Sequence, residues 1–311
     1  MRFIDRYFYK PNFLHICLAF ILLPLSLFYL IVATLRRKCA KYYDFKIPII
    51  SVGNLIVGGS GKTPFLCEIA KDFESVAVIS RGYKRKSKGL IIVSCNGEIC
   101  ATQEQSGDEA YLIALTLKNA SVIVSKDRVA GILEAKKLGA NAVFLDDGFR
   151  FNFKKLSIVL SPKLEPFFKL PLPSGIYREN PFAKGDLMLK EGVDYTREVG
   201  VESPTARMLL LTAIANPARL DEFLPKGVIG KILLRDHAVF DLEALRAEFR
   251  RTGATSLLVT RKDFVKLQQC DLPLSILSLK IHIDSLVITR IKEYVESYKT
   301  QNLKNTAITR K

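Results

Sequence analysis

Gly58, Gly59, Ser60, Gly61, Lys62 and Thr63 stand in a row between two apolar segments. The first, Ile47 to Val52, is rich in β-branched residues and predicts a buried strand; in the second, Phe65, Leu66, Ile69 and Ala70 recur at helical spacing. Glycines at a strand-to-helix turn let backbone N–H groups face an anion, the helix N-terminus favours negative charge, and a lysine adds a point charge for outer phosphates. Gly58 to Thr63 therefore predict a phosphate-binding loop, with Thr63 as the hydroxyl ligand of Mg²⁺. Pro64 falls in the first helical turn, where its missing N–H costs little. One position departs from the usual G-x-x-x-x-G-K-[ST] spacing: the first glycine is replaced by Ile56, with Gly53 and Gly58 nearest to it.

A second group of residues fits the same chemistry. In "AVFLDDG" an apolar strand delivers Asp146 and Asp147 at its C-terminal end, where a nucleotide enzyme would hold Mg²⁺. Adjacent residues on an extended backbone point to opposite sides, so the two carboxylates should not serve identically. Asp108 and Glu109 of "SGDEAY" open a helix, where acids either cap the first turn or do chemistry. His237 of "RDHAVF" sits at a strand end, ahead of a helix beginning near Asp241.

These residues need a scaffold, and the rest of the chain supplies the pattern for one. "SVAVIS", "SVIVS" and "NAVFL" predict strands, "GLIIVSCNGEIC" a hairpin turning at Asn96-Gly97, and the segments starting near Asp108 and at "KDRVAGILEAKKLG" predict helices. Strands alternating with helices predict an α/β fold, a parallel sheet flanked by helices. From 161 to 206 six prolines punctuate a segment that predicts a long ordered loop. From Arg207 onward the alternation resumes in "RMLLLTAI", "GVIGKILL", "SLLVT" and "LSILSL", predicting a second, smaller α/β domain.

Phe13 to Leu35 contains no Asp, Glu, Lys or Arg. At about 1.5 Å per residue it reaches across a hydrocarbon core of roughly 30 Å. No small-residue cleavage site follows; Arg36, Arg37, Lys38 and Lys41 do, which places the globular part on the cytoplasmic side by the positive-inside tendency. Pro24 predicts a kink, and a helix embedded in one leaflet is the alternative. Basic residues exceed acidic ones by 16 among 311 residues, a surface suited to anionic lipids and phosphorylated substrates. The basic residues are dispersed and carry no nucleic-acid motif, so nucleic acid is not an expected partner. Six cysteines without C-x-x-C spacing are expected to be reduced thiols.

In order, "GNLIVGGSGKTP", "SRGY", "GDE", "DR", "DDGF", "LPSGIYRE", "ANPARL", "DHAVF" and "TRKD" resemble the tetraacyldisaccharide 4'-kinase family, from the apolar helix to about residue 265. The resemblance implies a P-loop NTPase-like core over residues 39–206, a membrane-anchoring helix over 1–38 and a C-terminal domain over 207–311. It also implies ATP and Mg²⁺ as cofactors, and transfer of the γ-phosphate to the 4'-hydroxyl of a tetraacylated disaccharide 1-phosphate at the inner face of the cytoplasmic membrane. By the same resemblance Ser60, Lys62 and Thr63 carry phosphate-loop roles, and Asp146 and Asp147 associate with Mg²⁺. Asp108 is then the base, assisted by His237 from the other domain. Arg81, Tyr83, Glu109, Arg128, Arg178 and Glu179 match further positions, which are assigned to substrate or nucleotide handling. The family usually continues "DDGF" with Gln-His, where Arg150 and Phe151 stand here; a Pro-Leu pair is replaced before Arg178, and Arg261 replaces an acidic residue. The rival reading is a membrane-tethered P-loop switch or assembly protein. A guanine-reading Asn-Lys-x-Asp would support it, and "TRKD" is the nearest match.

Overall fold

The computed structural model describes residues 3–57, 61–214, 217–235, 238, 240–267 and 270–308. It opens with α1 (Phe3–Tyr9) and α2 (Phe13–Lys38), the latter started by a reciprocal cap in which Asn12 and His15 exchange backbone and side-chain hydrogen bonds. α2 is long and apolar enough to cross a membrane by length and composition, and Phe13, Leu14, Phe20, Ile21 and Phe28 are exposed on it. One side is nevertheless tied to the protein. The Ser26 hydroxyl donates to Ser174 Oγ at 2.8 Å, the Ser174 hydroxyl donates to the Ala19 carbonyl at 2.9 Å, and the Tyr29 hydroxyl donates to the Arg178 carbonyl at 2.8 Å.

The first sheet begins with β1 (Ile49–Gly53), which leads to α3 (Lys62–Ala70) and β2 (Val76–Ser80). The hairpin of β3 (Ile91–Cys95) and β4 (Glu98–Ile99) turns at Asn96 and Gly97, both with positive φ as the Asn-Gly dipeptide requires. α4 (Gln103–Ser106), α5 (Asp108–Thr116), β5 (Ala120–Val124), α6 (Arg128–Lys137), β6 (Ala142–Asp146), β7 (Leu156–Ser161) and β8 (Leu187–Lys190) follow. The strand order is β4-β3-β5-β2-β6-β1-β7-β8, with the β4-β3 and β3-β5 pairings antiparallel at one edge and the other pairings parallel. β1, β2, β5 and β6 are buried at every residue, because helices cover both faces, and their sequences are accordingly continuous apolar runs. β1, β2 and β6 end side by side, so their C-terminal residues share one crevice.

The second sheet has the order β11-β10-β12-β13-β9. Its elements are β9 (Tyr195–Glu202), β10 (Met208–Thr212), a 3₁₀ turn at Pro217–Phe223, β11 (Val228–Leu233) and α7 (Leu242–Thr252). They continue with β12 (Ser256–Thr260), α8 (Arg261–Phe264), a 3₁₀ turn at Val265–Leu267 and β13 (Leu274–Ile283), after which α9 spans Ser285–Ile308. β8 and β9 lie inside the stretch whose prolines predict a loop. No proline falls between Pro181 and Pro204, and there Leu187 and Leu189 turn inward while Met188 and Lys190 turn outward, a strand alternation. β9 pairs antiparallel with β13, so the second sheet draws a strand from before residue 207.

The two sheets share side chains. Tyr195 of β9 and Ile281 of β13 belong to the same apolar cluster as Ile50, Phe65 and Phe144, and Val287, Ile291 and Val295 of α9 join it. Phe65, fully buried on α3, meets the Tyr195 ring edge-on at 5.1 Å between centroids. Phe65→Ala should therefore cost about 3–5 kcal/mol, measured by urea denaturation. A loss below about 1 kcal/mol would mean that this contact does not hold α3 to the second sheet.

Candidate active site

Asn54, the first residue after β1, is fully buried and its carboxamide oxygen accepts from two cations: Lys62 Nζ at 2.9 Å and Arg178 Nη2 at 2.9 Å. Gly61, the N-cap of α3, has φ +70°, a conformation that disfavours a side chain, and Lys62 and Thr63 form the first turn. Gly58, Gly59 and Ser60 lie outside the described residues. The substitution of Ile56 for glycine has a local reason. Ile56 is buried and bridges Tyr177, Val57 N–H donates to the Ile176 carbonyl at 2.9 Å, and Arg178 N–H donates to the Leu55 carbonyl at 2.9 Å. The segment entering the loop is thus paired to "GIYRE", which brings Arg178 beside Lys62. Burial lowers the Lys62 pKa, against the raising effect of Asp147.

Asp146 and Asp147 differ as their adjacency predicts. Asp146 ends β6 in a buried position, where Ser80 Oγ donates to its carboxylate at 3.2 Å and Arg128 Nη2 donates to its backbone carbonyl at 3.0 Å. Burial, followed by the charge of Glu109, pushes its pKa up to about 6. Asp147 leaves the strand with φ 60° and its carboxylate accepts from Arg178. Burial would raise its pKa, but Lys62 and Arg178 together outweigh it and hold the group below the ordinary carboxylate range. Thr63, Asp146 and Asp147 offer hard oxygen donors. Mg²⁺ is commonly bound by one or two carboxylates plus phosphate and water, so this set suits it, while the described residues contain no group of three or more His, Cys, Asp or Glu for an all-protein cage.

Asp108 lies at the head of α5, buried, and accepts from Gln103 Nε2. Gly107 before it has φ +84°, and a Cβ there would lie 2.9 Å from the Tyr83 carbonyl, so "SRGY" and "GDE" are pressed together. Lys266 Nζ approaches Asp108 Oδ2 at 3.4 Å, and Lys262 Nζ lies 4.0 Å from Glu109. His237 lies outside the described residues. Arg81 and Tyr83 are exposed beyond the end of β2, whereas Arg128 is buried beneath the site. Glu179 pairs with Arg150 at 3.4 Å, and burial raises its pKa against the pull of that arginine.

Between the C-terminal half of α2 and these residues lies a cavity of about 570 Å³, lined by Arg36, Arg37, Lys41, Arg128, Arg150 and Arg178 among others. Arg150 and Phe151 both line it; Phe151 stacks on Phe153 at 5.4 Å, with the Arg128 guanidinium 5.6 Å from the Phe151 ring centroid. Two residues of the site have no role in the sequence reading. Asn54 is one, standing inside "GNLIVGGSGKTP" directly after the apolar strand. Lys155 is the other: its ammonium donates to the carbonyls of Gly148 at 2.8 Å and Phe149 at 3.2 Å, and to that of Phe151, holding the loop that follows Asp147. Burial, then Arg37, pushes Lys155 down to about 7.

"TRKD" cannot read guanine in this fold. Asp263 is fully buried, and its carboxylate accepts from Thr212 Oγ1 at 2.7 Å, Thr260 Oγ1 at 2.8 Å and Ala213 N–H at 3.1 Å.

Known proteins match this chain along most of its length. Residues 18–191 match the family profile described as LpxK, tetraacyldisaccharide-1-P 4'-kinase. A tetraacyldisaccharide 4'-kinase of Helicobacter pylori (strain HPAG1) is 55% identical over 298 residues, covering 95% of this chain and 96% of that protein. One from Aliarcobacter butzleri is 44% identical over 307 residues, covering 95% and 98%. The crystal structure of LpxK from Aquifex aeolicus in complex with ATP superposes with a TM-score of 0.71 at 28% identity, covering 90% of this chain and 99% of that one.

Lys155→Met removes three donated hydrogen bonds while keeping the side chain's apolar stem. Amide hydrogen exchange in residues 148–152 is expected to speed up by about 10-fold, equivalent to about 1.4 kcal/mol, the order of one or two net hydrogen bonds. Unchanged exchange would show that the loop is held by its other contacts.

Proposed function

The chain belongs to the tetraacyldisaccharide 4'-kinase family, and we propose that it transfers the γ-phosphate of ATP to the 4'-hydroxyl of a tetraacyldisaccharide 1-phosphate, forming the bis-phosphorylated lipid A precursor. One observation carries this reading: a lysine at the head of α3 and two carboxylates at the end of β6 converge beside a basic cavity walled by an apolar helix. A soluble acceptor would not require that wall.

In this reading the ATP phosphates lie at the N-terminus of α3, against Gly61 and Lys62, where backbone N–H groups and the ammonium oppose their charge. Thr63, Asp146 and Asp147 would hold Mg²⁺, which supplies neutralisation of charge on the transferred group. Arg178, which donates to Asp147, would turn its guanidinium to phosphate oxygens. Asp108 accepts the proton of the 4'-hydroxyl as that oxygen bonds to the γ-phosphorus and the bond from γ-phosphorus to the bridging oxygen breaks. ADP carries away the electron pair of that bond. Most of the acceleration comes from positioning and charge neutralisation, with His237 assisting the base.

The headgroup occupies the basic cavity, with Arg36, Arg37 and Arg150 near enough to its rim to meet the anomeric phosphate. The acyl chains follow the exposed apolar side of α2. The ties of Ser26 and Tyr29 to residues 174 and 178 support a helix lying along the protein in the cytoplasmic leaflet of the inner membrane.

Labelled γ-phosphate should pass from Mg-ATP to the lipid in detergent micelles, and Asp108→Ala should slow this by roughly 100-fold, the range for loss of a general base. A wild-type chain that consumes ATP and leaves the lipid unlabelled would contradict the assigned acceptor.

A further inference from the structure

"TRKD" and the residues directly after it have no part in the reading above, yet they meet its base. α8 and the following turn belong to the second sheet, and they are fixed there by the saturated carboxylate of Asp263 and by buried Val265 and Leu267. Between those two apolar anchors Lys266 points out of the second lobe. Its ammonium lies 3.4 Å from Asp108 Oδ2, donates to the Ala238 carbonyl at 3.2 Å, and stands 5.6 Å from the Phe240 ring centroid. The Lys266 and Asp108 side chains are only 9% and 8% exposed. One turn earlier, Lys262 reaches Glu109 at 4.0 Å.

We propose that Lys266 is a positioning residue for phosphoryl transfer: it clamps Asp108 of the first lobe to Ala238 of the second, setting the carboxylate's direction. The inference rests on the reading of Asp108 as the acceptor of the hydroxyl proton. The physical reason is the shape of the contact. One Asp108 oxygen is engaged by Gln103 on its own lobe and the other faces Lys266, so the carboxylate plane is defined from both sides. The same buried ammonium also donates to the carbonyl of Ala238. The base and Ala238 of the second lobe thus share one cation, and the registry of the two lobes is set where the acceptor hydroxyl must be aligned. Lys266 meets Asp108 and Ala238 and is not among the residues that line the basic cavity, so its loss should appear in kcat rather than in KM.

The test compares Lys266→Met, Lys266→Gln and Lys266→Arg in the full chain, in wild-type and Asp108→Ala backgrounds, following lipid phosphorylation and unfolding together. Lys266→Met should lower kcat on the order of 100-fold, the cost of a misplaced reacting group, with KM for ATP and lipid within about 3-fold of wild type. Lys266→Arg should recover most of the rate, and Lys266→Gln, which keeps a donor to Ala238 without the charge, should not. In the Asp108→Ala background Lys266→Met should cost no more than about 3-fold further, because its partner is already gone. Full activity of Lys266→Met or Lys266→Gln would overturn the role, as would a loss in the Asp108→Ala background as large as in wild type. If Lys266→Met does not fold, the Gln and Arg variants decide between these outcomes. A wild type that never phosphorylates the lipid would overturn the function itself, a result distinguishable from normal wild-type turnover with an indifferent lysine.

Discussion

Two cations share one carboxamide oxygen at the centre of this molecule. Lys62 and Arg178 both donate to Asn54, with Asp147 between them, at the point where β1 and β6 end. Bringing two positive charges this close costs free energy unless anions lie within reach, and burial makes the cost larger. The chain meets this constraint in several ways at once. The "GIYRE" segment is paired to residues 55–57, Asp147 leaves its strand in a left-handed conformation, and Lys155 gathers the carbonyls of the next loop. Each device serves to hold charge of one sign against charge of the other. A polyphosphate entering this crevice would exchange internal partners for ligand oxygens.

The second constraint comes from the apolar surface of α2. α2 exposes large apolar side chains along most of its length, yet it is fastened by hydroxyl hydrogen bonds to the segment that also carries Arg178. The catalytic crevice and the apolar helix are therefore coupled through a stretch of five residues, 174–178. In the proposed function this coupling would give an amphiphilic acceptor a continuous path, with apolar chains beside α2 and a charged headgroup over the arginines at its end. The two sheets interlock separately, through β9, β13 and α9.

Much of the core was legible because parallel strands buried on both faces must be continuous apolar runs, and β1, β2, β5 and β6 are such runs. The Asn96-Gly97 hairpin was legible from its turn chemistry alone, and the unequal environments of Asp146 and Asp147 followed from their adjacency. The clustering of prolines concealed β8 and β9, since proline density in one part of a segment says nothing of the alternation in another. The roles of Asn54 and Lys266 were hidden for a different reason. They lie in long-range partners, Arg178 for Asn54 and Asp108 for Lys266, and no local pattern encodes such a meeting. Lys155 meets carbonyls close to it in sequence, but a lone lysine after a loop belongs to no motif.

The position of the new phosphate decides the assigned reaction. ³¹P NMR of the lipid recovered after incubation of the full chain with Mg-ATP and tetraacyldisaccharide 1-phosphate resolves a phosphate added at the 4'-oxygen from the one already present. A second phosphomonoester resonance, coupled to the proton on carbon 4', is the predicted result. An unchanged lipid, or a phosphate joined to the existing one as a diphosphate, would contradict it.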